Sequence, residues 1–210
     1  MPPADRICSA TDANPGHMPQ PQPTSHGSID VGPALKVLQL NVEGMSASKR
    51  TVISNIADHH KADVICLQET HISDLIAARY EIDGFDLISA APDAVYGRAT
   101  YVRSDIADAM PVSSQPFCDV IQVGGFKIVN VYKPPSLHWD QAVLPVFEHP
   151  VIYVGEVVAA GQWGYAESDR DGDTLLEWAT NSNLTLTHDA KQRGTFHSAR
   201  WRKDTSPDLC

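Results

Sequence analysis

The stretch Val37-Leu38-Gln39-Leu40-Asn41 is an apolar run that ends in a single polar residue, and three other runs share this design. They are residues 64–69 (VICLQE), 128–132 (IVNVY) and 151–156 (VIYVGE). Near-continuous apolar runs of this length are typical of strands that are buried on both faces. Their polar ends, an amide, a phenol and two carboxylates, are therefore predicted to gather at the rim of a sheet. Because ionisable groups beside a core are costly unless they are paired or bound to a metal, the pattern predicts a functional site.

Length and composition predict a single soluble domain. The 210 residues are 42% hydrophobic, which is enough for one sizeable core. No apolar run is long enough to span a bilayer and no signal peptide is evident, so we expect an intracellular protein, nuclear or cytoplasmic, that is not secreted and has no membrane partner. The 4 cysteines have neither disulfide nor zinc spacing and are expected to stay reduced. A net charge of -10 argues against non-specific coating of nucleic acid.

Residues 1–34 differ in kind from the rest of the chain. They contain 7 prolines among Ser, Gln, His and Gly, and few large apolar residues. Such a segment cannot offset the entropy of ordering, so we predict a disordered leader at 1–34 and one folded domain at 35–210.

Helical signals follow the first and the last of the four runs. Ser46 or Ser48 can cap a helix that ends near His59-His60. Its apolar face is predicted to consist of Val52, Ile53, Ile56 and Ala57. A later helix has an apolar face made of Leu175, Leu176, Trp178 and Ala179.

The remaining elements are predicted strands. They cover residues 85–89, 99–103, 119–123, 126–132 and, as a short strand, 184–187. Gly124-Gly125 joins the third to the fourth, and a two-residue Gly-Gly link is a strong hairpin signal. Helices mixed with long hairpins indicate an α+β fold of two packed sheets flanked by helices.

A basic segment lies near the C-terminus. It contains Lys191, Arg193, Arg200, Arg202 and Lys203, interleaved with Phe196, His197 and Trp201. Basic side chains beside aromatic rings are what a phosphate-contacting and base-stacking surface requires. The alternative is an exposed, solvated hairpin.

Several motifs stand in the order of a known family. They are Gln39-Leu40-Asn41, Gln68-Glu69-Thr70, Asn130-Val131-Tyr132-Lys133-Pro134-Pro135 and the strand end at Gly155-Glu156. In this order the chain resembles the endonuclease/exonuclease/phosphatase superfamily. Further phrases, Ala99-Thr100-Tyr101-Val102-Arg103, Trp163-Gly164-Tyr165, Leu175-Leu176-Glu177-Trp178 and Ser206-Pro207-Asp208-Leu209, are similar to the apurinic-type endonuclease domain of non-LTR retrotransposon (reverse transcriptase) proteins. The resemblance covers residues 35–210 and implies a four-layer α/β/β/α sandwich of two mixed sheets.

The resemblance also implies phosphodiester hydrolysis assisted by Mg²⁺, or alternatively Mn²⁺, with DNA as the partner, nicked or single-stranded. On this interpretation Glu69 is the principal metal ligand, Asn41 supports it, and Tyr132 lies over the scissile phosphate. Glu156 takes the place of an aspartate that orients water, and Thr195 and Asp208 match two late family positions. The alternatives are a surface or helix-capping carboxylate at Glu69, a turn-forming Asn41 and a packing anchor at Tyr132.

Two departures predict that activity is weak or lost. The family's Gly-Asp-Phe-Asn is replaced by Gly155-Glu156-Val157-Val158, so the carboxylate reaches one methylene further and Val158 donates no hydrogen bond. The family continues beyond Cys210 with one more strand and a Ser-Asp-His segment, so we expect a domain that is truncated at the C-terminus and lacks its last strand.

Two functions from different classes therefore stay open. One is a metal-dependent nicking endonuclease, carried by Asn41, Glu69, Tyr132, Thr195 and Asp208. The other is an inactive remnant that acts at most as a nucleic-acid-binding module through the basic segment. A phosphatase or lipid phosphodiesterase of the same superfamily is a third and weaker alternative, because substrate choice lies in loops.

Overall fold

The computed structural model describes residues 34–134, 136–139, 144–156, 170–185 and 187, and the backbone of three short strands beyond them. In chain order the elements are β1 (Val37–Asn41), α1 (Ala47–His60), β2 (Val64–Gln68), α2 (Ala77–Tyr80), β3 (Phe85–Ala91), β4 (Arg98–Arg103), β5 (Ala109–Ser114), β6 (Cys118–Val123), β7 (Phe126–Tyr132), β8 (Val151–Glu156), α3 (Arg170–Asn181), β9 (Phe196–Ser198), β10 (Lys203–Thr205) and β11 (Asp208–Leu209). Residues 1–33 of the predicted leader lie outside the described residues. No helix in the described part of the chain is long and apolar enough to cross a membrane.

The strands form two mixed sheets and one short hairpin. The first sheet has the order β1-β2-β4-β3, and the second has the order β11-β8-β7-β6-β5. Each sheet contains one parallel pair, β1 with β2 and β7 with β8. Because parallel neighbours end at the same edge, each sheet gathers two strand ends at one place. We call these four ends, of β1, β2, β7 and β8, the rim.

Three layers of apolar side chains hold the sheets and helices together. On the outer face of the first sheet, Ile53 and Ala57 of α1 pack with Ile65 and Leu67 of β2. On the outer face of the second sheet, Leu175 and Trp178 of α3 belong to a cluster with β6 and β7. Between the sheets lies an inter-sheet layer made of Val64, Cys66, Val102, Ile121, Val123, Ile128 and Val154. The predicted four-layer α/β/β/α sandwich is therefore confirmed.

The local signals account for most elements. Ser46 caps α1, since its Oγ accepts from the Lys49 N–H at 3.2 Å, and Lys61 ends the helix in the left-handed region with φ 54°. Val123 pairs with Phe126 across Gly124-Gly125, as the hairpin signal predicts. The apolar face of α3 is also confirmed, with Leu175 and Trp178 buried.

Three expectations were wrong. Val52 was predicted on the apolar face of α1 but is 55% exposed. The face of α1 that packs on the sheet consists of Ile53, Ala57 and Ser54. β1 is only partly buried, because it is the edge strand of its sheet. A strand was predicted at 184–187, but the described residues of this range lie in no strand. The Leu184 N–H donates instead to the Ala179 carbonyl of α3 at 2.9 Å.

Candidate active site

The rim brings together side chains from both sheets. Tyr132, the last residue of β7, donates its hydroxyl to Glu69 Oε1 at 2.7 Å, and Glu69 directly follows β2. Asn41 ends β1 in register with Gln68, the last residue of β2. The sequence expectation that an amide, a carboxylate and a phenol meet at one rim is therefore met for the ends of β1, β2 and β7.

The fourth strand end lies beside them. Glu156 is the last residue of β8 and pairs with Tyr132 in the parallel register. On its other side Glu156 is paired with Asp208 of β11. The backbone thus sets the predicted carboxylate position Glu156 next to Tyr132, and the position Asp208 one strand beyond Glu156. The catalytic roles of both residues stay predictions.

Glu69 is held by its neighbours and remains accessible. Its side chain is 21% exposed, whereas Tyr132 is only 2% exposed and packs against the Tyr96 ring at a centroid distance of 5.5 Å. His71 Nε2 lies 3.7 Å from Glu69 Oε2, which is longer than a hydrogen bond. His71 stands two positions after the predicted ligand Glu69, but no sequence pattern indicated that its ring lies beside that carboxylate.

The backbone around Glu69 is strained. Glu43, Glu69 and His71 have positive φ angles of 41°, 53° and 52°, in the left-handed region that costs a residue with a side chain about 1–2 kcal/mol. The strain is maintained by hydrogen bonds between the loops after β1 and β2, from the Gly44 N–H to the Glu69 carbonyl at 2.7 Å and from the Met45 N–H to the Thr70 carbonyl at 2.9 Å. Because such strain tends to occur at functional positions, it agrees with a site here.

Asn41 forms a turn. Its Oδ1 accepts from the Glu43 N–H at 3.1 Å, the turn-forming role that the sequence left as an alternative. Lys49 Nζ bonds to the carbonyls of Val42 and Glu43 at 2.6 and 2.7 Å and fixes the same loop. The amide of Asn41 is therefore held at the rim, and its role toward a metal stays a prediction.

The residues present fit a magnesium site. Glu69 offers a carboxylate with one oxygen bonded to Tyr132 and the other beyond hydrogen-bond distance of His71, and Asn41 offers an amide oxygen. Within the described residues no three His, Cys, Asp or Glu side chains cluster as a closed metal cage. Mg²⁺ suits this arrangement, because it binds oxygen through one or two carboxylates and keeps several of its waters.

Two buried polar bridges join the sheets directly beneath the rim. Gln68 Nε2 donates to Asn130 Oδ1 at 2.6 Å, and both residues are fully buried. Arg98 Nε donates to Asp119 Oδ2 at 2.8 Å, with side chains only 7% and 0% exposed. These bridges were not predicted from the sequence, although amides and charges inside apolar runs need hydrogen-bond partners once they are buried.

A third polar cluster lies where β7 continues toward α3. Lys133 Nζ is 3.3 Å from Asp171 Oδ2, packs over the Trp139 ring and also donates to the Leu137 carbonyl. His138 Nδ1 lies 3.2 Å from Asp171 Oδ1. Burial alone would raise the pKa of Asp171, but the hydrogen bonds from His138 and Lys133 outweigh it and hold that pKa below its usual value.

The residue before Glu156 is Gly155, and the structure leaves no room for a side chain at this position. Its φ is 153°, and a Cβ at this position would lie 1.9 Å from the Val131 carbonyl oxygen of the neighbouring strand. The close approach keeps β7 and β8 in register at the rim.

The other predicted site residues lie outside the described part of the chain. Thr195, Lys191, Arg193, Arg200, Trp201 and Arg202 belong to this group. Lys203 is described by its backbone alone, at the start of β10 opposite Ser198. The nucleic-acid-binding role of the basic segment therefore stays a prediction.

The chain belongs to the endonuclease/exonuclease/phosphatase family, whose model matches residues 38–191. The predicted superfamily and the predicted enzyme class, a hydrolase, are therefore confirmed.

Several solved structures have a similar fold. A 3' phosphatase from Neisseria bound to a product DNA hairpin is 16% identical, with a TM-score of 0.62 over 84% of this chain and 85% of that one. AP endonuclease LMAP from Leishmania major is 16% identical, with a TM-score of 0.60 over 83% of this chain and 78% of that one. An AP endonuclease from Archaeoglobus fulgidus is 15% identical, with a TM-score of 0.54 over 84% and 85%. A search of the curated proteins found no match to the chain.

Proposed function

We propose that this chain hydrolyses phosphodiester bonds in DNA with a divalent cation, Mg²⁺ or Mn²⁺, as a nicking endonuclease of the non-LTR retrotransposon type. The observation that carries the proposal is the 2.7 Å hydrogen bond from the Tyr132 hydroxyl to Glu69, which joins the two sheets at an accessible rim. The bond holds a partly exposed carboxylate in a fixed position, and carboxylates that bind metals are commonly held by hydrogen bonds of this kind.

Each residue of the rim has a proposed task. Glu69 and Asn41 would hold the cation, which supplies neutralisation of charge on the phosphoryl group. Tyr132, whose ring is fixed by burial and by the Tyr96 ring, orients the phosphate through its hydroxyl. Glu156 lies beside Tyr132 in the register and would accept the proton of the attacking water.

DNA is the proposed substrate on two grounds. Two of the similar structures are AP endonucleases, and a third is bound to a product DNA hairpin. The phrases around Trp163 and Ser206 are those that resemble retrotransposon endonucleases. The basic segment at 191–203 would then contact the phosphate backbone.

We expect the rate to be low. Glu156 carries its carboxylate roughly 1 Å further than the family's aspartate, and a displacement of this size can cost about a hundredfold. Val158 removes a hydrogen-bond donor, a loss that typically costs about 10² to 10³ in turnover.

Val158 also favours a second candidate function, nucleic-acid binding without cleavage. A protein of this kind would keep the fold and the basic segment but would leave DNA intact with any metal. Cleavage of DNA distinguishes the two functions, because only the enzyme cuts DNA and only its cleavage depends on Glu69.

Nicking of supercoiled plasmid by the full chain tests the proposal. With Mg²⁺, nicked circles should accumulate, and EDTA or Glu69→Gln should abolish them. Glu81→Gln is the matched control, since Glu81 is an exposed carboxylate that follows α2. A folded protein that retards DNA on a gel and never nicks it would establish the second candidate.

Restoring the family motif should raise the rate. The double change Glu156→Asp with Val158→Asn returns both the shorter carboxylate and the missing donor. We expect a gain of at least about 10²-fold in Mg²⁺-dependent nicking. A folded, metal-binding double variant with no gain would show that β8 does not carry these roles.

A further inference from the structure

We infer that Asn130 and Gln68 are positioning residues, which hold Tyr132 and Glu69 at their reactive separation from beneath the rim. The inference rests on the proposed function. The side-chain amides of Gln39, Gln68 and Asn130 are hydrogen-bonded in series, and this amide chain bridges the two sheets. Asn130 and Gln68 have no access to solvent, so they act through the residues they support.

The orientation of both amides is determined by fixed acceptors. Asn130 Nδ2 lies 3.2 Å from the carbonyls of Leu67 and Ala99 and 3.1 Å from Thr100 Oγ1. Because a carbonyl only accepts, the NH₂ group of Asn130 must face the first sheet and its oxygen must face Gln68. Gln68 then donates to that oxygen at 2.6 Å and accepts from Gln39 Nε2 at 2.7 Å.

The amide chain therefore ties β7 to the first sheet at a fixed point. Asn130 belongs to the second sheet, whereas its acceptors at Leu67, Ala99 and Thr100 belong to β2 and β4 of the first. A hydrogen bond weakens steeply when its length or angle changes, so these bonds fix both the spacing and the relative slide of the sheets. Apolar contacts elsewhere in the inter-sheet layer impose no such direction.

The tie lies next to both reactive side chains. Gln68 directly precedes Glu69, and Asn130 precedes Tyr132 by two residues on the same face of β7. Moving β7 relative to β2 would therefore change the separation of the Tyr132 hydroxyl and Glu69 Oε1, now 2.7 Å. Misplacement of a reacting group by about 1 Å can lower the rate about a hundredfold. We therefore expect loss of the amide chain to lower kcat and to leave substrate binding unchanged.

Asn130→Leu tests the inference, because leucine has a similar shape and makes none of the four bonds. We expect kcat for Mg²⁺-dependent nicking to fall about a hundredfold with KM unchanged. The matched control is Ile128→Ala, at the next inward-facing position of the same strand, which weakens the core without touching the amide chain. At a temperature where both variants are folded, the control should keep the wild-type kcat.

A milder variant covers the case in which Asn130→Leu does not fold. Thr100→Val removes one acceptor of Asn130 and leaves the two carbonyls in place. We expect a smaller loss of kcat, again with KM unchanged. Equal kcat for wild type, Thr100→Val and Asn130→Leu would overturn the inference, as would an equal loss in Ile128→Ala.

A second readout needs neither metal nor cleavage. Tyrosine ring resonances of the metal-free protein, with Tyr132 assigned through Tyr132→Phe, report its contact with Glu69. We expect the Tyr132 resonance to move in Asn130→Leu and to stay in Ile128→Ala. If the wild type fails to nick DNA but the resonance moves, the proposed function is wrong and the positioning stands; a resonance that stays still in Asn130→Leu refutes the positioning itself.

Discussion

The space between the two sheets is apolar at one end and polar at the other. On β2, β4, β6 and β7, the inward-facing residues far from the rim are apolar, as Val64, Val102, Val123 and Ile128. On the same four strands, the inward-facing residues under the rim are polar, as Gln68, Arg98, Asp119 and Asn130, and all are buried. Apolar side chains would stabilise both ends more simply, since buried polar groups gain little beyond recovering the cost of their desolvation. The comparison indicates that the polar end is kept for the geometry of the rim.

The largest effect should come from removing half of the charged bridge. Asp119→Ala leaves the Arg98 guanidinium buried without a counter-charge, with the Gln115 and Pro116 carbonyls as its acceptors, and should lower the free energy of unfolding by about 3–5 kcal/mol. Urea denaturation followed by circular dichroism measures the loss. A loss below that of an average surface substitution would show that water already reaches the bridge.

Replacing both charges sharpens the comparison. In Arg98→Met with Asp119→Leu no charge stays buried, but the Gln115 and Pro116 carbonyls lose the Arg98 donors, so we expect a smaller loss of stability than in Asp119→Ala. Nicking should fall in the same variant, because the rim has lost part of its support. A double variant with full activity would break the proposed link between the polar end and the site.

Gly155→Ala should have the next largest effect. The added Cβ would meet the Val131 carbonyl at 1.9 Å, so β8 must shift away from β7 at a cost of about 1–3 kcal/mol. Gly125→Ala is the matched control, because nothing lies within 4 Å of a Cβ there. Thermal unfolding of both variants gives the result, and equal stability would contradict the strand spacing described above.

Tyr132→Phe should have a smaller effect on stability. The change removes the hydrogen bond to Glu69 and keeps the ring, so we expect a loss of about 1.5 kcal/mol. Nicking should fall in the same variant. Tyr96→Ala removes the ring that packs against Tyr132 and leaves the hydrogen bond to Glu69 in place. Urea midpoints of Tyr132→Phe and Tyr96→Ala therefore separate the hydrogen bond from the packing.

The smallest effect lies outside the inter-sheet layer, at Asp171. Its pKa is lower in the folded protein than in the unfolded chain, so its ionised form contributes stability that is complete above about pH 4 and is lost as the pH falls through the folded pKa. Asp171→Asn should therefore cost about 0.5–1 kcal/mol at pH 7 and little at low pH. The control is Asp58→Asn, because Asp58 is an exposed aspartate of α1. An equal pH dependence of the two variants would contradict the assignment.

Apolar patterning predicted the strands and helices that form the core, and it failed where the pattern is short or local. β5 contains Pro111 and two serines, and α2 is only 4 residues long, so neither has a periodic signal. The run that became β1 could not be distinguished from a central strand, because the position of a strand in a sheet depends on pairing between distant segments.

The candidate site shows the same division. Glu69 and Tyr132 were placed at one rim because both end apolar runs, and the structure brings them to 2.7 Å. Gln68 and Asn130 lie inside such runs, 62 residues apart, and no local pattern pairs them. Their polarity was the available signal, because a buried amide requires a partner. His71 was missed since the direction of a loop side chain depends on the loop's fold.

The most direct test of the account is to locate the metal. Mn²⁺ added to the ¹⁵N-labelled protein broadens the amide resonances of residues close to the bound ion, and Mg²⁺ should reverse the effect by competition. The account predicts broadening at Asn41, Glu69 and Tyr132, its loss in Glu69→Gln, and no broadening around Asp171. Broadening centred on the Lys133–Asp171 cluster, or none in a folded protein, would contradict a metal site at the rim.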